Sequence, residues 1–596
     1  MTGFGGSAQS WSLVAFCSVV ALTLLLCVLT GPEADDLPEF YTGYRSLSPL
    51  RNGLAVAGDY ISAATVLTIG GIIALCGYDG IVLALSALLS LLLLMFLLAE
   101  PLHNTGRYTM GDALARRHPA RSVRVTACLV TLAALVPMMV VQLAGVGELL
   151  AYVLGFTDAG MKNGCVAGAG VLMISYAALG GMPGTALVQI IKTVALLGSG
   201  LVVSVLILRL FDWQPQALFH AAARHSGAGP AYLTWGLQYS GSPHPALDMA
   251  STQCAIVLGG ACLPHVTMRM YTAGTPRQVR RAMSWAVSSV TLFILMLTVI
   301  CVGATALVGH DRVTAADAHG TTAYLLGARA AFGTDLSRPE SLLFATVTTA
   351  VFLTLLASVA SMTLACANTL AHDLMASRAT PPAPARELAL ARFSALAVGV
   401  PTVLLAVLAQ HHSLQPLATV SFTLGASAIA PALLYTLFWR RYTRRALLAT
   451  LVVGTLSVLA LTPGTTLVSG TPLSAFPDAD FAWFPYNTPA LVSVPAGFLA
   501  GWLTTVLSGR RAGARERVTR AHVAPFATAY SRSAPISRAR SPSRSRSSVR
   551  TQQTARSRLP SATRAAWVWD GATQASRCTR ATAAVREARS GGSQLT

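Results

Sequence analysis

Charge is what this chain of 596 residues has least of: Asp, Glu, Lys and Arg together make up 11% of it, against 53% hydrophobic residues. Ordinary soluble domains carry about a quarter charged residues, so a soluble fold is excluded and a polytopic membrane protein is expected. Lysine is almost missing, with Lys162 and Lys192 the two present. The ten cysteines show no CxxC spacing and fall mostly in apolar runs, as Cys27, Cys76 and Cys301 do. They read as small buried hydrophobes, which excludes a disulfide framework and a zinc site. No HExxH, GxSxG or phosphate-binding loop occurs, so neither an enzyme nor a bound cofactor is expected.

What is present is a series of apolar runs near the ~20 residues that cross a bilayer. Thirteen recur, at about 11–31, 52–77, 80–99, 122–155, 164–181, 185–209, 249–270, 282–309, 341–371, 389–410, 414–439, 446–464 and 488–508. The first lacks a basic flank and reads as a retained helix. Between the runs, loops rich in arginine (Arg116, Arg117 and Arg121; Arg277, Arg280 and Arg281; Arg440, Arg441, Arg444 and Arg445) alternate with loops holding Asp79, Asp158, Asp212 and Asp478. The positive-inside rule then puts the amino terminus outside the plasma membrane and the carboxyl terminus in the cytoplasm. Most of the net charge of +20 lies beyond residue 509, where 18 arginines face three acids. This Arg/Ser-rich stretch, 509–596, is expected to be a disordered cytoplasmic tail. Anionic lipid is its natural contact, at about 1 kcal/mol per Arg near the surface. Nothing like a nucleic-acid-binding fold accompanies it, and no nucleic-acid partner is expected.

One spanning run carries too much polarity. Gly58-Asp59-Tyr60-Ile61-Ser62-Ala63-Ala64-Thr65 places a carboxylate, a phenol and two hydroxyls inside the second span. Such groups need partners within the protein, and an intramembrane carboxylate marks function by default. The seventh span is interrupted as well, by Gly259-Gly260 and then Pro264-His265. Paired Gly/Pro-interrupted helices in matching positions point to a secondary transporter's binding site. Here they open two blocks of five, and an odd block makes the repeat inverted. Freed carbonyls at such breaks suit a cation, and half-helix amino ends suit an anion.

The residues Gly58-Asp59-Tyr60, Gly77-Tyr78-Asp79-Gly80, Ala99-Glu100-Pro101-Leu102, Gly106-Arg107-Tyr108-Thr109, Gln189-Ile190-Ile191-Lys192, Leu263-Pro264-His265 and His372-Asp373-Leu374 resemble the sodium:solute symporter family, and its cation/acetate symporter branch in particular. The likeness covers about residues 33–508. It implies an all-α, LeuT-type 5+5 inverted-repeat fold with about thirteen transmembrane helices. The expected division is a first helix in 1–32, a transport core in 33–440, two peripheral helices in 441–508 and the tail. The implied activity is cation-coupled uptake of a short monocarboxylate, with acetate, propionate and pyruvate as candidates. A symporter for another small solute, such as the amino acid proline, and a membrane sensor on the same fold are the alternatives.

Carried over by position, the resemblance implies a sodium site at the carbonyls of Gly58 and Ile61 with Thr354 and Ser358 of the ninth helix. The second hydroxyl of the usual pair falls on Ala357, which opens the choice between Na⁺ and H⁺, with Asp59 as a proton carrier in the second case. Ser62, Gly259 and Gly260 are the expected substrate contacts. Gln189, Lys192 and His265 are expected in gating or coupling. Two roles are open for Lys192: an ammonium on the inward path that attracts the carboxylate substrate or substitutes for a cation, or a side chain snorkelling to the headgroups.

Overall fold

A computed structural model describes residues 6–31, 37–62, 64–154, 158–332, 342–375, 383–410, 413–471 and 474–527. Ten described helices are long and apolar enough to cross a membrane, or eleven with one bent pair counted as a single span. One of the ten, Ala159–Leu210, has 52 residues. At ~1.5 Å per residue it is more than twice the ~30 Å hydrocarbon core, and Gly181 divides it with a φ of 53°. Splitting it there and adding Gly6–Leu29 gives thirteen, the number expected.

In chain order these are α1 (Gly6–Leu29), α2 (Pro49–Tyr60 with Ala64–Cys76), α3 (Tyr78–Thr105), α4 (Arg121–Leu154), α5 (159–180), α6 (182–210) and α7 (Pro245–Thr272). They continue as α8 (Pro276–Val308), α9 (Phe344–Met375), α10 (Pro384–Ala409), α11 (Gln415–Phe438), α12 (Arg444–Leu461) and α13 (Ala490–Ser508). The most apolar window of α9 is buried throughout, so this helix forms the axis of the bundle. It packs on α4, α5 and α6, while α8 packs on α2 and α7 on α3 and α11. The last helix continues past Ser508 to Ala527, so the expected disorder does not begin at 509. Residues 528–596, the rest of the expected tail, lie outside the described residues.

Both expected helix breaks exist. In α2 the halves bend by 61°. Ile61 leaves helical geometry (φ −78°, ψ 96°), and the Ser62 carbonyl accepts the N–H groups of both Thr65 and Val66. The Thr65 hydroxyl donates back to the Tyr60 carbonyl at 3.2 Å, which satisfies an acceptor freed by the break. Local hydroxyl bonding of this kind competes with the helical ladder. In α7 the break falls at Leu263 (φ −58°, ψ 126°), at the Pro264-His265 end of the expected interruption and not at its glycine pair. Pro264 explains this, because it withholds an N–H and pushes the residue before it out of the helical region.

Gly259 and Gly260 instead permit close packing within an unbroken helix. A Cβ on Gly259 would strike the Phe422 carbonyl of α11, and one on Gly260 would lie 2.7 Å from Ser90 Oγ and 3.0 Å from the Tyr60 hydroxyl. Gly58 serves the contact of α2 with α6: its Cβ would stand 2.7 Å from Thr193 Oγ1 and 2.8 Å from the Gln189 carbonyl. Gly58→Ala is therefore expected to overpack the seam and cost about 1–3 kcal/mol. Thermal unfolding in detergent checks this, and an unchanged midpoint would show that the seam has slack.

Candidate cation and substrate site

The partner that Asp59 needs is Arg269. Its Nε lies 2.5 Å from Asp59 Oδ2, with both side chains buried. Arg269 Nη2 also reaches Ser361 Oγ of α9 at 3.4 Å, and Nη1 reaches Met182 Sδ of α6 at 3.0 Å. One guanidinium thus joins α2, α6, α7 and α9. The cation that Asp59 meets belongs to the protein, and this differs from the expected roles of sodium ligand or proton carrier. Asp59 Oδ1 has no hydrogen-bond partner among the described residues.

The expected sodium ligands of α9 also meet a side chain. Lys192 Nζ donates to Ser358 Oγ at 2.7 Å and to the Thr354 carbonyl at 3.3 Å. Ser358 gives its own proton to the Thr354 carbonyl at 2.9 Å, so its lone pair faces the ammonium. Thr354 Oγ1 bonds back to Ala350 and takes no part. One turn earlier on α6, Gln189 Nε2 donates to the Ala357 carbonyl at 3.0 Å. Lys192 is fully buried, which excludes snorkelling in this conformation.

The donor set fits a sodium ion poorly. Ala357 supplies a carbonyl already bonded to Gln189 and no hydroxyl. A second monovalent cation about 4 Å from the ammonium would meet a repulsion of roughly 4 kcal/mol at an effective dielectric near 20. Gly58 and Ile61, the other half of the expected set, lie at the α2 break, and Gly58 packs on Gln189 and Thr193 beside Lys192.

Next to these groups a cavity of about 100 Å³ runs between the broken helices, with Asp59, Ser62, Thr65 and His265 in its wall. Ser62, one of the expected substrate contacts, lines this cavity. His265, expected in gating, lines the cavity, and its buried Nδ1 has no partner among the described residues. Gly259 and Gly260 are outside the lining, which takes Ala255, Ile256 and Leu263 from α7. Gln238 and Thr488 also line the cavity. The Asp79 carboxylate holds the first of these loops by accepting from the Gly236 and Gln238 N–H groups at 2.8–3.1 Å. Ser251 holds the second by donating to the Thr488 carbonyl at 2.7 Å.

A second polar cluster stands at the end of α9. Arg124 Nη1 bridges Asp112 Oδ1 (2.7 Å) and Asp373 Oδ1 (2.9 Å), while His372 lies between Asp112 and Glu387. Asp112, His372 and Asp373 could hold a metal by their spacing, but the guanidinium already supplies the positive charge there. The cluster reads as an ion-pair joint between α4, α9, α10 and the short helix Met110–Ala115. In that helix Thr109 and Asp112 form a capping box. Burial opposes ionisation of Asp112, yet the hydrogen bond from His372 and the charges of His372 and Arg124 outweigh it and hold the carboxyl well below the usual range. A depressed folded value stabilises the fold at pH above the ordinary ~3.9 of an aspartate, and that stabilisation is lost as pH falls through the folded value. Asp112→Asn is expected to lower the unfolding midpoint at neutral pH, and the gap from wild type should narrow in acid. A gap that stays constant across the titration would rule out the charge as its cause.

Comparison with known proteins places these features. The model of the sodium:solute symporter family matches residues 40–454. A monocarboxylic acid transporter of Corynebacterium glutamicum is 35% identical over 517 residues, covering 85% of this chain and 92% of its own. An uncharacterized symporter of Bacillus subtilis is 34% identical over 508 residues, covering 83% and 94%. Among solved structures, a substrate-bound, outward-open Na⁺-coupled sialic acid symporter superposes with a TM-score of 0.65 at 15% identity, over 83% of this chain and 98% of that one. At that identity the superposition speaks for the fold alone.

Proposed function

We propose that this chain, which belongs to the sodium:solute symporter family and is a multi-pass cation-coupled symporter and not an enzyme, takes up a short monocarboxylate such as acetate, propionate or pyruvate. The observation that carries the reading is the cavity at the two helix breaks and the charge beside it. A water fills roughly 10–15 Å³ counted as probe space, so about 100 Å³ suits a ligand of a few heavy atoms and is tight for a sugar. Asp59 and Arg269 cancel as an ion pair, and Lys192, when protonated, adds one positive unit to the buried centre. Such an excess favours an anion. The Ser62 hydroxyl and the unpaired nitrogen of His265 offer it hydrogen bonds. The relative from Corynebacterium glutamicum, a monocarboxylic acid transporter by name, supports the same substrate class.

Alternating access follows from the hinges: rocking the half-helices about Ile61–Ser62 and Leu263 would open the cavity to either side in turn. By the positive-inside rule, the arginine-rich loops support a cytoplasmic carboxyl terminus and an amino terminus outside. Counterflow tests the substrate without any driving gradient. Proteoliposomes preloaded with unlabelled acetate, propionate or pyruvate should accumulate labelled acetate transiently, whereas preloaded proline should not support it. Exchange with none of the three acids, or with proline alone, would overturn the reading.

A further inference from the structure

We infer that the ammonium of Lys192 is the resident cation of the α6–α9 site, standing where a transported sodium ion would otherwise bind, so that this site takes up no Na⁺. The inference rests on the symporter reading above and deepens it by taking Na⁺ away from this position.

Three independent features converge on it. The ammonium donates to Ser358 Oγ (2.7 Å) and to the Thr354 carbonyl (3.3 Å), the two oxygens that a cation at this place on α9 would use. Ser358 is pre-oriented for a cation, because its proton is committed to the Thr354 carbonyl of its own helix. The position one residue before Ser358 is Ala357, so the second hydroxyl that would help to strip water from a free ion is absent, and Gln189 takes the Ala357 carbonyl. The remaining charges around Lys192 are Asp59, Arg269 and the ionisable His265. Asp59 is already neutralised by Arg269 at 2.5 Å, so no spare anion remains to hold a second cation beside the ammonium. The ~4 kcal/mol of like-charge repulsion between them corresponds to about a thousandfold loss of Na⁺ affinity. A chain with two lysines has placed one of them, fully buried, against the hydroxyl left in this set.

The test reads cation binding apart from transport. Purified full-length protein is unfolded thermally in a series of NaCl concentrations, with choline chloride holding ionic strength, and ²²Na⁺ binding is measured on the same samples. Wild type should show no Na⁺-specific shift and no saturable binding. The double variant Lys192→Ala/Ala357→Ser vacates the position and restores the hydroxyl pair. It should acquire saturable ²²Na⁺ binding and a midpoint that rises with Na⁺ and not with choline. Saturable binding to wild type that Ser358→Ala abolishes would overturn the inference, because the ammonium would then yield to sodium. A folded double variant that binds no Na⁺ would overturn it as well, because the position would then not be a cation site. Wild-type counterflow, which needs no ion gradient, stays separate: its failure would sink the substrate reading and leave the binding result standing.

Discussion

Replacing Arg269 with methionine is expected to cost about 3–5 kcal/mol of stability and to abolish transport. The magnitude is that of breaking a buried ion pair from one side, which strands a charge in low dielectric. Asp59 makes the case severe. Its Oδ1 already lacks a partner among the described residues and its Oδ2 depends on Arg269 Nε at 2.5 Å, so the variant leaves a carboxylate with no cation beside α2. The guanidinium also ties in Ser361 of α9 and Met182 of α6, and the loss should therefore loosen four helices together. The double variant Asp59→Asn/Arg269→Met should recover most of the stability, since it removes both charges, yet leave uptake impaired because the half-helices lose their common tie. Unfolding of wild type, both single variants and the double variant forms the cycle that isolates the pair. Near-additive losses would mean that the two residues act separately, and the ion pair would then be incidental to the fold.

How much of this could be read from the chain itself differs between the two halves of the site. The α2 break was legible because Gly58, Asp59, Ser62 and Thr65 stand out against an apolar run, and polarity at membrane depth has few innocent explanations. The requirement that Asp59 have a cation was equally plain. The identity of that cation was not, for Arg269 follows Asp59 by 210 residues and sits at the edge of the seventh apolar run, where an arginine reads as a loop residue. The kink at Leu263 is what returns it to the core, and a kink's direction is set by packing and not by the local sequence. Pro264 was the stronger signal there; the glycine pair beside it drew attention although it serves the contact with Phe422. The same blindness affected His265, which proximity to the proline made look like a gating residue. The thirteen spans, by contrast, follow from run length alone, and the fifth and sixth are parted within a continuous 52-residue helix by the Gly181 reversal. For Lys192 the sequence offered burial or snorkelling, and only the register of α6 against α9 decides between them. That register is fixed by Gln189 on Ala357 and Lys192 on Ser358, an i, i+3 pair on one helix face.

Lys192→Met should separate stability from function. Methionine keeps most of the side chain's length and removes the charge. Apolar replacement of a buried ionic group is often neutral or stabilising by about 1–4 kcal/mol, so the unfolding midpoint should hold or rise. Two polar groups of α9 lose a donor, but Ser358 remains bonded to the Thr354 carbonyl, and neither is left wholly unsatisfied. Transport should move the other way. Without the ammonium the net charge beside the cavity falls from one positive unit to zero, the Asp59–Arg269 pair being neutral. The attraction of a nearby unit charge for a carboxylate is on the order of 1–2 kcal/mol across several ångströms at an effective dielectric near 20, so KM for the anion should rise about tenfold. Lys192→Arg retains the charge in a bulkier, forked shape and should keep KM closer to wild type while slowing turnover. Acetate counterflow across a concentration series, run beside thermal unfolding, measures both quantities on the same preparations. A Lys192→Met protein that is destabilised yet transports acetate with an unchanged KM would make the ammonium a structural strut. The positive charge at the centre of the bundle would then have to be credited with holding α6 to α9 and with nothing more.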